Sequence, residues 1–306
     1  MTHSPGLVLA IVGQTATGKT GLAVEIAQEV GGEIINADAM ALYRGMDIGT
    51  AKITAAEAQA TPHHLFDVLE VTQEASVAVY QQHARDHIDR VLERGKTPIV
   101  VGGSGLYVRA ALDHIDFPPT DPAVRAELYT RVETEGLATL YGELQRVDPA
   151  AAATIQPRND RRIVRALEVI SLTGKPFSAS LPRPQYVYRT VQIAIRVDQS
   201  DLDQRIEQRV GEMWEAGLVE EVRQLMTRGL AQGPTASRAV GYAETMRHLA
   251  GELDAEETQE LIAQSTRQLA RRQRRWFARD PRITYISAPA RLADALRVIQ
   301  MHESKT

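Results

Sequence analysis

The sequence predicts an α/β fold: a parallel sheet built on a phosphate-binding loop, covered by helices and interrupted by an inserted all-helical subdomain. Three observations carry this expectation. The apolar run LVLAIV (7–12) leads directly into GQTATGKT (13–20) and then GLAVEIAQEV (21–30), whose apolar residues recur at helical spacing. Further apolar runs alternate with helical patterns, and connections that long imply parallel strands with both sheet faces covered. A block bordered by DFPPTDPAV and SLPRPQYVY breaks the rhythm with helical patterns alone, as an insertion would.

Taken in order, LVLAIV is a buried strand and the next eight residues match Gly-x-x-x-x-Gly-Lys-Thr. In that pattern the backbone N–H groups of Gly13, Gln14, Thr15, Ala16, Thr17 and Gly18 ring an anion, Lys19 supplies charge, and Thr20 can ligate Mg2+. A strand, a Gly-rich turn and a helix together aim a helix N-terminus at that anion. GEIINAD, ending at Asp38, is the next strand; then come TPIVVGG ending at Gly103, TVQIAIRV from Thr190, and RITYIS near the end. SVAVYQQHARDHIDRVLERG separates two of them as a helix, and long helical patterns, LDQRIEQRVGEMWEAGLVEEVRQLM and DAEETQELIAQSTRQLARRQRRWFAR, follow Asp198. Ligands bind at the carboxyl ends of such sheets, so Gly13, Asp38 and Gly102 are expected on one edge. The division expected is a first core segment at 1–115, a helical insertion at 116–188, and a second core segment at 189–306 carrying a basic helix.

Composition bounds the answer. The 306 residues are 43% hydrophobic and 24% charged, an ordinary globular balance with ample chain for a core. There is no cysteine, which excludes disulfides and any Cys-based zinc site or nucleophile. The first strand begins at Leu7, leaving no room for a signal peptide, and no apolar run approaches the ~20 residues of a membrane span. A cytoplasmic protein without membrane contact is expected, acting as a monomer. Net charge is −4, yet 30 of the 35 basic residues are arginine.

That arginine is clustered. On a helix, STRQLARRQRRWFAR sets Arg267, Arg271, Arg272, Arg274, Arg275 and Arg279 on one face, with Leu269, Trp276 and Phe277 on the other. So many arginines with almost no acid among them suit a polyanion lying across them, although a solvated face would look the same. PRNDRRIVR brings a second cluster, Arg158, Arg161, Arg162 and Arg165, from the insertion. Asp38, in INADAMALYRGMDIGTAK, is a Mg2+ ligand or a general base, or else a turn or helix-capping residue. VVGGSGLYVRAAL gives a second strand, Gly-rich turn and helix, with Ser104 in the turn and glycines that allow close backbone approach. His63 and His64 are adjacent, so their side chains diverge and a shared metal is not expected.

The chain resembles the tRNA dimethylallyltransferase family, the isopentenyltransferases that act on tRNA, of bacterial type. GQTATGKT, DAMALYRGMDIGTAK, PHHLFD, VGGSGLY, NDRRIVRALEV, GLVEEV, SRAVGYAE and TRQLARRQRRWF occur in family order from residue 7 to about residue 280. The resemblance implies transfer of a dimethylallyl group from dimethylallyl pyrophosphate to N6 of the adenosine 3′ to the anticodon, with Mg2+ as cofactor and pyrophosphate as leaving group. It implies that Lys19, Asp38 and Ser104 serve the chemistry, Asp38 as general base, and that the loop holds the donor's pyrophosphate with Mg2+ at Thr20. Contacts to tRNA are implied for Asp38, Ala39, Met40 and Ala41, for Ser104 and Arg125, and for Arg161, Arg162 and Arg165. They are implied too for Ser237 to Tyr242, including Arg238, Gly241 and Tyr242, and for Arg271, Arg272, Arg274 and Arg275 within the stretch ending at Ala278. Three positions depart from the family: Ala41 where many members carry Gln, Ser104 for Thr, and Gln14 for Pro. The zinc-finger extension of eukaryotic relatives is not expected, since the sequence has no cysteine.

Other classes fit parts of the sequence. A small-molecule or nucleotide kinase would use the same loop and Asp38 but leave both arginine clusters idle. An RNA-binding module with a vestigial loop would not need Lys19 and Thr20, and a transferase acting on free AMP would not need the basic helix.

Overall fold

Every residue of Leu7–Val12 (β1) is buried, the environment of a strand inside a covered sheet. The structure, a computed structural model, describes residues 6–180, 184–287 and 291–304; Leu181 to Arg183 of the expected insertion border fall outside them. Lys19–Val30 forms α1, Gly32–Asn36 β2, Ala55–Ala58 a short α2 and His63–His64 β3. Val77–Glu93 (α3), Thr97–Gly102 (β4) and Gly105–Leu112 (α4) follow. Four helices come next: Pro122–Glu135 (α5), Leu137–Val147 (α6), Pro149–Thr154 (α7) and Asp160–Thr173 (α8). Arg189–Arg196 (β5) returns to the sheet, before Gln199–Glu215 (α9), Leu218–Thr227 (α10), Tyr242–Leu249 (α11) and Ala255–Phe277 (α12). Ile283–Ser287 (β6) and Arg291–Glu303 (α13) end the described chain.

The six strands are all parallel, in the order β3-β2-β4-β1-β5-β6. After β1 the chain builds β2 and β3 on one flank, inserts β4 beside β1, and then adds β5 and β6 on the other flank. The winding reverses at β1, whose Val12 aligns with Gly102 of β4 and Ala194 of β5. A ligand crevice belongs at the carboxyl end of that reversal. Leu9 and Ile11 of β1 pack with Leu22 and Ile26 of α1 and with Val298 and Ile299 of α13. Tyr80, Ala84, Ile88 and Val91 form the buried stripe of α3, which lies against β2 and β4. A second core joins α9 to α12 through Leu202, Ile206, Val222, Tyr242, Ile262 and Ala270.

The chain divides into two compact units, Asp113–Gln185 and the remainder. The smaller one is helical, built on Leu128, Leu140, Leu144, Ile163 and Leu167. Side chains fix three of its helix starts. Asp121 accepts the Ala123 and Val124 N–H groups, Asp148 that of Ala151, and Asn159 that of Arg162. Among the described residues no helix is long and apolar enough to cross a membrane.

Three elements differ from expectation. β3 is a strand of two residues, paired as Ile34 with His63 and Ile35 with His64; so short a segment has no readable period, and its register is set by β2. The strand expected to end at Asp38 stops at Asn36, because the Asn36 side chain replaces the ladder: its amide donates to Leu65 O at 3.0 Å and accepts Asp38 N–H at 2.8 Å. The long pattern after Asp198 is two helices, α9 and α10, separated by Gly217 at φ 100°.

Candidate active site

The loop after β1 closes on itself. The Thr17 hydroxyl donates to Gln14 O at 2.9 Å, Lys19 Nζ donates to the same carbonyl, and Ala16 is held at φ 60°. A non-glycine residue in the left-handed region stores strain of the kind found at binding loops. Thr17 is buried, and its hydroxyl is used inside the loop. Gly18, at φ 86°, precedes α1 and supplies no side-chain cap, and the first turn of α1 carries no acid. The positive end of that helix and its unpaired N–H groups are therefore left for an anion from outside the chain.

Charge gathers around this loop. Burial pushes the Lys19 ammonium down to about 8, with Asp38 working to raise it and Arg209 to lower it further. Arg209, on α9, is itself lowered by burial and held up by Asp38. Arg291, at the start of α13, pairs with Glu25 at 2.7 Å, and its Nη1 would lie 2.8 Å from a Cβ on Gly18. Two arginines outside the expected clusters thus bring positive charge near this loop.

Asp38 stands beyond β2 in a turn shaped by Asn36. Its Oδ1 accepts Met40 N–H at 3.0 Å, and among the described residues Oδ2 receives no hydrogen bond. One oxygen of Asp38 thus shapes the turn and the other is left without a partner among the described residues. Ser104, in the turn after β4, accepts Ala39 N–H at 3.1 Å through its hydroxyl and so braces the same turn. Tyr80 and Tyr107 wall the site, their rings 4.7 Å apart. Burial first, then the charge of neighbours including Asp38, keeps both phenols protonated.

The basic helix α12 reaches this edge from the other side. Gln273 is only 9% exposed; it accepts Thr15 N–H at 2.8 Å and donates to Gly103 O at 3.1 Å, joining the loop after β1 to the second Gly-rich turn. A Cβ on Gly103 would lie 2.3 Å from that amide nitrogen, so a side chain there would push the Gln273 amide out of its place. Trp276, one turn on, lies directly over Gly105 and is 41% exposed. That corrects its expected place on the buried face: the buried stripe is Ala270, Gln273 and Phe277, and Trp276 falls beside it. Arg271, Arg272, Arg274, Arg275 and Arg279 are exposed, whereas Arg267 is paired with Glu207 at 2.9 Å.

Several expected contact residues are otherwise engaged. Tyr242 is fully buried and its hydroxyl donates to Glu221 at 2.6 Å; that carboxylate also accepts the N–H groups of Asp47, Ile48 and Gly49. The ring is core, and its side chain is closed to a ligand. Ala41 is buried, and Gly241 is a buried turn whose N–H donates to Glu244, while Arg238 is exposed. In the helical unit, Arg125 and Arg165 both pair with the buried Glu168, and Arg165 also donates to Pro118 O and Pro119 O. Burial works to raise the Glu168 carboxyl, but Arg165, Asp121 N–H and Arg125 outweigh it and hold it below the usual range. These two arginines brace their own unit, whereas Arg158, Arg161 and Arg162 are exposed.

No cluster of three acids or histidines able to hold a metal occurs among the described residues. Thr20, exposed at the start of α1, carries a hydroxyl. One hard oxygen donor fits Mg2+, which keeps most of its waters and takes its remaining ligands from phosphate.

A family model described as IPP transferase matches residues 41–280. The tRNA dimethylallyltransferase of Salinispora arenicola is 53% identical over 297 residues, covering 96% of this chain and 87% of its own. Among solved structures, the full-length tRNA isopentenylpyrophosphate transferase of Bacillus halodurans superposes with a TM-score of 0.73 at 36% identity, covering 99% of this chain and 98% of the other. A eukaryotic dimethylallyltransferase acting on tRNA gives 0.84 at 25% identity, covering 96% of this chain and 78% of its own.

Proposed function

This chain belongs to the IPP transferase family, and from that premise we propose that it transfers a dimethylallyl group from dimethylallyl pyrophosphate to N6 of the adenosine 3′ to the anticodon of tRNA. The observation that carries the reading is the meeting of the Lys19 loop and Asp38 at one sheet edge, beside a helix whose outward face is arginine.

The reaction breaks the allylic C–O bond, whose electron pair passes to pyrophosphate, and forms a C–N bond to the adenine amine. Lys19, the loop N–H groups and the α1 N-terminus stabilise the growing charge on the leaving group. Mg2+ at Thr20, when bound, supplies further charge neutralisation to the pyrophosphate oxygens. The amine becomes acidic as it attacks, and Oδ2 of Asp38 accepts its proton. Ser104 and Asn36 keep that carboxylate in place. A base inside a stacked helix cannot reach Asp38, so the adenosine must be unstacked, as base-modifying enzymes require. Arg271, Arg272, Arg274 and Arg275 of α12, with Arg238, Arg161 and Arg162, supply phosphate contacts. Ala39 and Met40 lie beside Asp38, where the target nucleotide would enter. The cytoplasm, where tRNA is modified, is the expected setting.

The test is direct. The protein is incubated with Mg2+, unmodified tRNA and dimethylallyl pyrophosphate, and in parallel with ATP and candidate small-molecule acceptors. Nucleoside mass spectrometry should find the dimethylallyl mass on adenosine only with the prenyl donor. ADP formation coupled to a phosphorylated acceptor, with no change in tRNA, would establish the kinase instead.

A further inference from the structure

We propose that Gln273 is a positioning residue through which acceptor docking on α12 sets the shape of the pyrophosphate loop. The proposal rests on the reaction assigned above and adds to it a coupling between the two substrates.

The geometry is specific. Gln273 faces inward while Arg271, Arg272, Arg274 and Arg275, its neighbours on the same two turns, face solvent. Its amide is matched atom for atom: the oxygen meets Thr15 N–H and the nitrogen meets Gly103 O. A glutamine in the buried stripe of a helix is costly unless both ends are satisfied. Here both ends are satisfied by loops that handle the reactants, one cradling the donor and the other bracing the Asp38 turn through Ser104. An anion that settles on the arginines acts on a helix whose inward side holds Thr15. A shift of about 1 Å along that helix would break a 2.8 Å hydrogen bond. The loop's N–H directions are thus set together with the position of α12, and a ligand on either side biases the other reciprocally.

The experiment uses inorganic pyrophosphate as the donor-side probe and an anticodon stem-loop RNA as the acceptor, both titrated into the full chain by calorimetry. Wild type is expected to bind pyrophosphate more tightly with RNA present, within the roughly 5–150-fold span of allosteric coupling. Q273M preserves side-chain length but removes both hydrogen bonds. It should bind RNA with wild-type affinity, lose most of the coupling, and show a raised donor KM at saturating tRNA. If Q273M is unstable in a thermal melt, Q273E carries the test, since its carboxylate still accepts Thr15 N–H but cannot donate to Gly103 O. Wild-type coupling in both variants, or none in wild type, would overturn the proposal. Neither outcome bears on whether dimethylallyl is transferred, which is scored separately on the product nucleoside.

Discussion

The Ser104 hydroxyl accepts the Ala39 N–H at 3.1 Å, so the turn after β4 holds the residue that follows Asp38. Ser104→Ala removes one such bond, a net cost of about 1 kcal/mol, and frees the Asp38 turn. Turnover is expected to fall roughly tenfold, while Ser104→Thr, which keeps the hydroxyl, should stay close to wild type. Equal activity in the Ala variant would show that Asn36 alone positions Asp38.

Lys19 gives a pH signature. Its ammonium is pushed down to about 8 by burial, so it is charged below that pH and neutral above it. The anionic donor needs the charged form. Donor kcat/KM, which reports the free enzyme, should be level below pH 8 and fall above it. Lys19→Arg should remove that break, and Lys19→Ala should abolish turnover. A profile of Lys19→Arg identical to that of wild type would assign the break to another group.

The exposed arginines of α12 predict salt dependence. Replacing Arg271, Arg274 and Arg275 by Ala should weaken RNA binding and flatten the plot of log affinity against log salt, by up to about one unit of slope for each phosphate no longer neutralised. Pyrophosphate affinity in the absence of RNA should not change. Superimposable salt series for wild type and the triple variant would reduce this face to a solvated one.

Arg125 and Arg165 carry a different expectation from the other arginines. They neutralise Glu168, whose side chain is fully buried. Glu168→Ala leaves two cations facing each other across the gap, at a cost of roughly 3 kcal/mol. Faster hydrogen exchange should appear across 113–185 and the melting temperature should drop. Any decrease in RNA affinity in Arg165→Ala should follow the same destabilisation. Weak RNA binding by an Arg165→Ala protein of wild-type stability would restore this residue as a direct contact.

The parts of the protein that are readable in sequence are those with a local cause. A six-residue apolar strand, a Gly-rich loop and an amphipathic helix each leave a pattern within their own span, so β1, the turn from β1 into α1 and the arginine face of α12 can be read directly. Arg209, Arg291 and Gln273 cannot, because each reaches the loop only through tertiary packing. Gln273 does leave a trace, as a polar residue at a stripe position between Ala270 and Phe277. Tyr242 shows the opposite error: its motif marks it as a contact, but Glu221, 21 residues away, takes its hydroxyl into the core. Hydrophobicity alone places Trp276 inward, whereas its actual face follows from the residues that α12 packs on.

Asp38 is the residue on which the proposed chemistry turns, and its two oxygens are used differently: Oδ1 holds Met40 N–H, which leaves Oδ2 for the acceptor. Asp38→Asn keeps an acceptor for Met40 N–H and removes the base. General-base catalysis is worth about 10²–10⁴-fold. The deciding measurement is single-turnover transfer of dimethylallyl to tRNA under rapid quench, with both proteins saturated in donor and acceptor. A rate lower by that factor is expected in Asp38→Asn, with tRNA affinity unchanged. A variant as fast as wild type would mean that the proton leaves N6 by another route and that Asp38 serves only to shape the turn.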